Sequence, residues 1–273
     1  MSLWQVETRD GITVATYHNP PMNYFCAEGT QELATLIRGW REPAIRAVVL
    51  TGGLEGKFIT HYSVEELHAL ASQPATLEAI GTSLTAGYHA LLRSLRDLPK
   101  PVIVAMNGDT MGGGFELSLS CDLRIAASGD YRIGLPEVCL GILPGGGGTQ
   151  RLSRLLGVGR AIDLILRGRV CCPEEALALG LVHEVVDDAA TRAEELARGL
   201  AAHSSVALAE IKRCVYQGSE VHLEGGLEIE SAGFLATLLS PEARERMGDY
   251  VNTPLGKRRD WIERHTVLRH DRG

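Results

Sequence analysis

Asn107-Gly108-Asp109-Thr110-Met111-Gly112-Gly113-Gly114-Phe115-Glu116-Leu117 follows the apolar run Val102–Ala105 and leads to Cys121-Asp122. The run before it reads as a buried strand, because apolar residues succeed one another without a polar break. The triple glycine then opens an apolar helical stretch. Glycine lets a backbone N–H approach a ligand closely, and a helix start presents the positive end of the dipole. Glu116 sits just inside that helix. Glu137 closes Ile133-Gly134-Leu135-Pro136-Glu137, and Pro144-Gly145-Gly146-Gly147-Gly148-Thr149-Gln150-Arg151-Leu152 follows. Read singly, Glu116 suits the helix dipole and Glu137 suits an exposed loop. Read together, two carboxyl groups in tunable settings divide acid and base work. These are parts for chemistry on a carbonyl whose oxygen becomes negative.

Outward from this stretch, short β-like runs alternate with helical ones. Leu3–Thr8 and Gly11–Tyr17 form a hairpin around Arg9-Asp10-Gly11, since Asp-Gly is a strong turn signal. Ala27–Trp40 has helical apolar spacing, and Ile45–Thr51 reads as another buried strand. Thr76–Leu98 is predicted as one long helix, with Leu77, Ile80, Leu84, Tyr88, Leu91 and Leu95 on a stripe and Pro99 at its end. Cys121–Ala127, Tyr131–Gly134 and Leu181–Val186 add strand-like pieces. Strand, glycine turn and helix recur, so functional groups are expected where strands feed helices. Helices are predicted over Ala189–His203, Val206–Tyr216, Leu223–Leu239 and Pro241–Tyr250, with a soft boundary near residue 200. The fold class is therefore α/β, with a core over 1–200 and a helical C-terminal region over 201–273. Beyond Asn252 the charged, punctuated tail reads as exposed or docked on a partner.

At 273 residues the chain can bury one sizeable core. Its 45% hydrophobic and 22% charged shares are those of an ordinary globular protein. No apolar run reaches the roughly 18–20 residues of a membrane span. No basic stretch leads into an apolar segment near the N-terminus, so no secretory signal is expected. A formal charge of −7 argues against broad nucleic-acid binding. The six cysteines (Cys26, Cys121, Cys139, Cys171, Cys172 and Cys214) form no CxxC pair and read as buried, reduced thiols of a cytoplasmic protein. The nine histidines show no metal-ligand spacing, so no metal is expected. The glycines at 145–148 lack the Lys of a phosphate-binding loop and read as a tight turn into the helix Thr149–Leu156.

The 107–122 stretch resembles the signature of the crotonase, or enoyl-CoA hydratase/isomerase, family. Asn19-Pro20 through Asn23, Val48–Gly52, Gly134–Glu137, Pro144–Leu152 and Ala176–Val182 match that family's pattern in order, over roughly residues 1–250. The resemblance implies a crotonase-like spiral of repeated ββα units, with a helical C-terminal region serving trimerisation. It also implies trimers or hexamers, an acyl-CoA thioester substrate and no cofactor beyond the coenzyme A of that substrate. The family's two glutamates fall on Glu116 and Glu137, and its oxyanion-hole amides on Tyr62 and Gly113. Thr60, His61, Ser63, Val64, Gly112 and Gly145 fall around the thioester. Adding water to a 2-enoyl thioester passes through an enolate-like state, which two preset amides would stabilise by several kcal/mol, about 2.7–4 for one donor.

Three departures stand out. Thr60-His61-Tyr62-Ser63 replaces the small residues and Asp usual in the first active-site loop. Its bulk reads either as packing or as a narrowed pocket with an extra acid/base group, since His titrates near neutrality. His18-Asn19-Pro20-Pro21-Met22 supplies no permanent cation for the CoA phosphates, which leaves Arg38, Arg41, Lys57 or the tail residues Lys257, Arg258 and Arg259. The Glu116–Glu137 spacing of 21 is one residue longer than the hydratase pattern. Hydration of a 2-enoyl-CoA is the leading expectation. Double-bond isomerisation, hydrolysis or decarboxylation is the nearest alternative, and a CoA- or RNA-binding scaffold without turnover is the alternative of another class.

Overall fold

The computed structural model describes residues 2–267. Strands β1 (Trp4–Arg9) and β2 (Ile12–Tyr17) pair antiparallel. Asp10 and Gly11 between them both take positive φ, as the turn signal requires. Helix α1 (Ala27–Gly39) covers the hairpin, with Leu33 and Ile37 buried. Strands β3 (Ala47–Gly52) and β4 (Gly56–Lys57) come next, followed by helices α2 (Val64–Ala71), α3 (Pro74–Ile80) and α4 (Ala86–Arg96). A second pass gives β5 (Val102–Met106), β6 (Gly108–Met111) and α5 (Gly112–Ser118). A third gives β7 (Leu123–Ala127), β8 (Ile133–Gly134), α6 (Gly148–Leu156) and α7 (Val158–Leu166). Then come β9 (Val170–Cys171), α8 (Pro173–Leu179), β10 (Glu184–Val186) and α9 (Ala189–Ala201). The chain ends in α10 (Ser205–Gly218), α11 (Leu223–Leu239), α12 (Pro241–Asn252) and α13 (Arg258–Arg264).

Two sheets organise these elements: a six-stranded one in the order β1-β2-β3-β5-β7-β10 and a four-stranded one in the order β4-β6-β8-β9. Each pass leaves the large sheet, adds one parallel strand to the small sheet, and then turns into helix. This is the spiral of ββα units that the family resemblance implies. It has a direct consequence for chemistry. Tyr62, Gly113 and Glu137 each lie shortly after a successive strand of the small sheet, so the topology delivers all three to one edge.

The inner strands β3, β5 and β7 of the large sheet are buried on both faces, which is why they read as apolar runs, whereas the edge strand β1 is largely exposed. Val48, Leu50, Val102 and Val104 pack in one cluster with Leu92, Leu95 and Phe115. Ala47, Val49, Ile103 and Ala105 pack in another with Ala193, Leu196 and Ala197 of α9.

The structure departs from expectation over Thr76–Leu98, where one long helix is replaced by α3, a 3-10 turn over Gly81–Thr85, and α4. Gly81 takes φ +57 and ends the first helix. The reason is visible in burial. Leu91, Leu92 and Leu95 are buried, whereas Ile80 and Leu84 are exposed. The continuous stripe is real in sequence, but the core takes up only its second half. The cysteines also divide differently from expectation: Cys121 and Cys171 are buried, but Cys139 and Cys172 are exposed. Among the described residues, no helix is long and apolar enough to cross a membrane.

Candidate active site

The glycines after β6 each answer a different steric demand. Gly112 takes φ +49, a left-handed conformation that starts α5. A Cβ on Gly114 would strike the carbonyl oxygen of Ile59, so the helix can lie against the 58–62 segment only with glycine there. That segment is held in turn by Met111 N–H donating to Thr60 O at 2.8 Å, and by Gly114's close approach.

Two backbone donors face the resulting crevice. Phe25 N–H donates to His61 O at 2.8 Å, and Ser63 N–H donates to Phe25 O at 2.7 Å. The Tyr62 N–H, trans to the His61 carbonyl, therefore points away from Phe25. Its nitrogen lies 3.4 Å from the Cβ position of Gly113. Gly113 is the second residue of α5, where an N–H has no intrahelical acceptor. The Tyr62 amide thus lies close to Gly113, and both N–H groups are free of ladder and helix bonds, as donors to a ligand oxygen must be.

Glu116 is buried, 2% exposed. Its Oε1 accepts the N–H groups of Gly146 and Gly148, each at 2.7 Å. Burial raises its pKa, while those two amides and the Arg151 guanidinium oppose the rise. Arg151 donates to Gly146 O at 2.6 Å, so one cation both braces the turn and balances the carboxylate. A Cβ on Gly146 would collide with the Glu116 Oε2. The glycine turn is therefore a carboxylate cradle, and it leaves one oxygen of Glu116 for a ligand.

Glu137 begins a 3-10 turn, and its Oε1 sits 3.2 Å from the Cβ position of Gly112. Its Oε2 is buried without a hydrogen-bond partner. Burial pushes its pKa up to about 7, helped by the charge of Glu116 and opposed by a backbone hydrogen bond. A carboxyl group poised near neutrality is suited to general acid–base work.

The remaining residues divide by what they hold. Gly112 and His61 flank the Glu137 carboxylate: the Gly112 Cβ position is 3.7 Å from His61 Cβ. His61 Nδ1 bonds Tyr62 O at 2.7 Å and its ring stacks on Tyr24 at 4.1 Å, so it lines the rim. Thr60 is turned inward, donating to Met22 O at 2.6 Å. Ser63 caps α2 by accepting Glu66 N–H at 3.1 Å, which is the job a small polar residue does there. Val64 is the first residue of that helix. Gly145 presents its carbonyl to His89 Nε2 at 2.8 Å. Of the tail cations, Lys257 pairs with Asp260, Arg259 pairs with Glu263, and Arg258 lies over the Tyr250 ring and bonds backbone carbonyls.

Sequence reasoning passed over the cradle itself, Arg151 and Tyr88. Arg151 stands four residues after Gly147, the spacing that folds a helical side chain back over its own N-terminus. That signal was readable. Tyr88 appeared only as a core-stripe residue, yet its hydroxyl donates to Gly113 O at 2.7 Å.

The profile of the enoyl-CoA hydratase/isomerase family matches residues 7–259. The chain belongs to that family, the crotonases. It is 33% identical to the short-chain-enoyl-CoA hydratase of Clostridium acetobutylicum over 250 residues, 90% of this chain and 93% of that one. Human mitochondrial methylglutaconyl-CoA hydratase is 36% identical over 207 residues, covering 74% of this crotonase and 59% of the human protein. An enoyl-CoA hydratase from Geobacillus kaustophilus superimposes with a TM-score of 0.85 at 31% identity, covering 92% and 94% of the two chains.

Proposed function

We propose that this crotonase adds water to a 2-enoyl-CoA to give a 3-hydroxyacyl-CoA, with Glu116 and Glu137 as the acid/base pair and Tyr62 and Gly113 as oxyanion donors. One observation supports this above the others: each carboxylate keeps one oxygen outside any protein hydrogen bond, Glu116 its Oε2 because Oε1 is cradled, and Glu137 its buried Oε2. Glu137 also lies against Gly112, beside the Tyr62–Gly113 approach. The thioester oxygen would sit between the amides and the β-carbon between the carboxylates. Water oxygen bonds to the β-carbon, and the π pair moves onto the thioester as an enolate. One water proton passes to the pair, and one proton reaches the α-carbon. The sum is H–OH across one double bond, with nothing oxidised or reduced. Glu116, tied through Oε1, positions the water with Oε2, and Glu137 exchanges the proton near neutral pH. Loss of absorbance at the enoyl thioester band on adding crotonyl-CoA tests the reaction. Absence of turnover, with butyryl-CoA still bound, would remove hydration and leave another crotonase reaction or the scaffold reading.

The assembly we propose is a homotrimer or hexamer built through the C-terminal helices. The support is α11, where Leu223, Leu227, Phe234, Leu235 and Leu239 all lie exposed on the single chain. So many large apolar side chains exposed on one helix fit an interface. Light scattering at micromolar concentration is expected to give three or six times the 29.5 kDa chain mass. A monomeric mass would contradict the proposal.

A further inference from the structure

The geometry points to Tyr88 as the residue that ends the acyl pocket and restricts this enzyme to short 2-enoyl chains. The inference rests on the hydratase reading for where the substrate lies. With the thioester oxygen between the Tyr62 and Gly113 amides, the β-carbon falls beside the free Oε2 of Glu116. The acyl chain beyond that carbon must run on past Oε2. Tyr88 occupies that direction. The Cβ position of Gly146, which abuts Glu116 Oε2, is also only 2.5 Å from Tyr88 Cε1. The Tyr88 hydroxyl is 3.5 Å from the Cβ position of Gly113. One ring therefore spans from the oxyanion glycine to the carboxylate cradle.

The ring is also held there. Its hydroxyl is tied to Gly113 O at 2.7 Å. Behind it stand Phe25 at 6.1 Å and Tyr62 at 6.0 Å between ring centroids. Phe25 is fully buried and cannot give way, and the Tyr62 hydroxyl is tied to Glu66 at 2.8 Å. Retreat of Tyr88 would break a hydrogen bond to a buried glycine carbonyl and push one packed ring into another. Helix α4 seats the ring by its own geometry. Thr85, Tyr88 and His89 share one face, with Thr85 and His89 meeting Gly145 while Tyr88 meets Gly146.

Two matched series test this. In kcat/KM, the wild type is expected to favour crotonyl-CoA over 2-octenoyl-CoA by at least about 10-fold, since even one misplaced methylene costs about that much. Tyr88→Leu removes the ring and its anchor, and should shrink that preference by about 10-fold or more. Tyr88→Phe keeps the ring and should keep the preference, whatever the hydroxyl does to rate. In binding, the Kd of octanoyl-CoA relative to butyryl-CoA should fall in Tyr88→Leu and stay unchanged in Tyr88→Phe. These saturated thioesters do not react, so the binding series stands even if crotonyl-CoA is not turned over, which would sink the hydratase reading alone. A wild type that takes 2-octenoyl-CoA as well as crotonyl-CoA overturns the assignment of Tyr88 without any variant. So does a Tyr88→Leu protein, folded by circular dichroism, in which neither ratio moves.

Discussion

Glu137→Gln is expected to lower hydration of crotonyl-CoA by about 10²–10⁴-fold, the usual contribution of a positioned acid–base group. Glutamine keeps the size of the side chain and its hydrogen-bonding capacity but has no proton to exchange near neutrality. The Kd for butyryl-CoA should barely change, because in the proposed mode the thioester is held by the Tyr62 and Gly113 amides and not by Glu137. Turnover near the wild-type level would remove the two-carboxylate mechanism. The wild-type rate should also show an ionisation close to pH 7, where burial places Glu137. That limb belongs to the pair of carboxylates, since Glu116 contributes to the position of its neighbour.

The same substitution carries an opposite stability effect. A carboxyl whose folded pKa is raised, here from 4.5 to about 7, binds protons more tightly when folded than when unfolded. The stability it contributes is fully present below pH 4.5 and is lost as pH rises through about 7. At pH 8 the wild type holds an ionised carboxylate with one buried oxygen unpartnered. Glutamine removes that burden, so Glu137→Gln should melt above the wild type at pH 8. The difference should shrink toward pH 5, where Glu137 is largely protonated in the native state. A variant that is less active and more stable is the signature of strain kept for function. Equal melting temperatures at both pH values would mean that the carboxyl is not held in a desolvated setting.

The large sheet was readable because burial on both faces writes itself as uninterrupted Val, Ile, Leu and Ala. The hairpin was readable from Asp10-Gly11. Most of the small sheet was not, because Gly56–Lys57 and Val170–Cys171 are two-residue strands with no period to detect, and only Ile133–Gly134 falls in a stretch that reads as strand-like. Helix α3 and the turn after it misled for the reverse reason. Their apolar spacing is regular, but Ile80 and Leu84 have no core to meet within the chain. At the site, Glu116 stood out through the glycines before it. Its cradle did not, because a glycine run gives no sign that its amides will converge on a carboxylate about 30 residues upstream. Tyr88 shares its helix with true core residues, and only the fold turns its ring to the crevice instead.

Tyr62 offers the second large effect, and its backbone geometry makes the experiment clean. The bridge to Phe25 is made by the carbonyl of His61 and the N–H of Ser63, so the Tyr62 N–H is spent on no ladder bond. Tyr62→Pro deletes that N–H and no sheet hydrogen bond. Losing one oxyanion donor should cost about 10²–10³-fold in kcat. Tyr62→Ala retains the donor. It gives up the hydroxyl bond to Glu66 and the ring packing against Phe25 and Tyr88, neither of which touches developing charge. Its kcat on crotonyl-CoA should therefore stay much closer to the wild type than that of the proline variant. Both proteins must match the wild type in circular dichroism and light scattering, because proline also restricts His61 before it. Equal damage from alanine and proline would shift the role to the side chain and favour hydrolysis or decarboxylation over hydration. If both variants are harmless, the amide does not face the thioester oxygen, and the second donor must be sought elsewhere in the 58–62 segment.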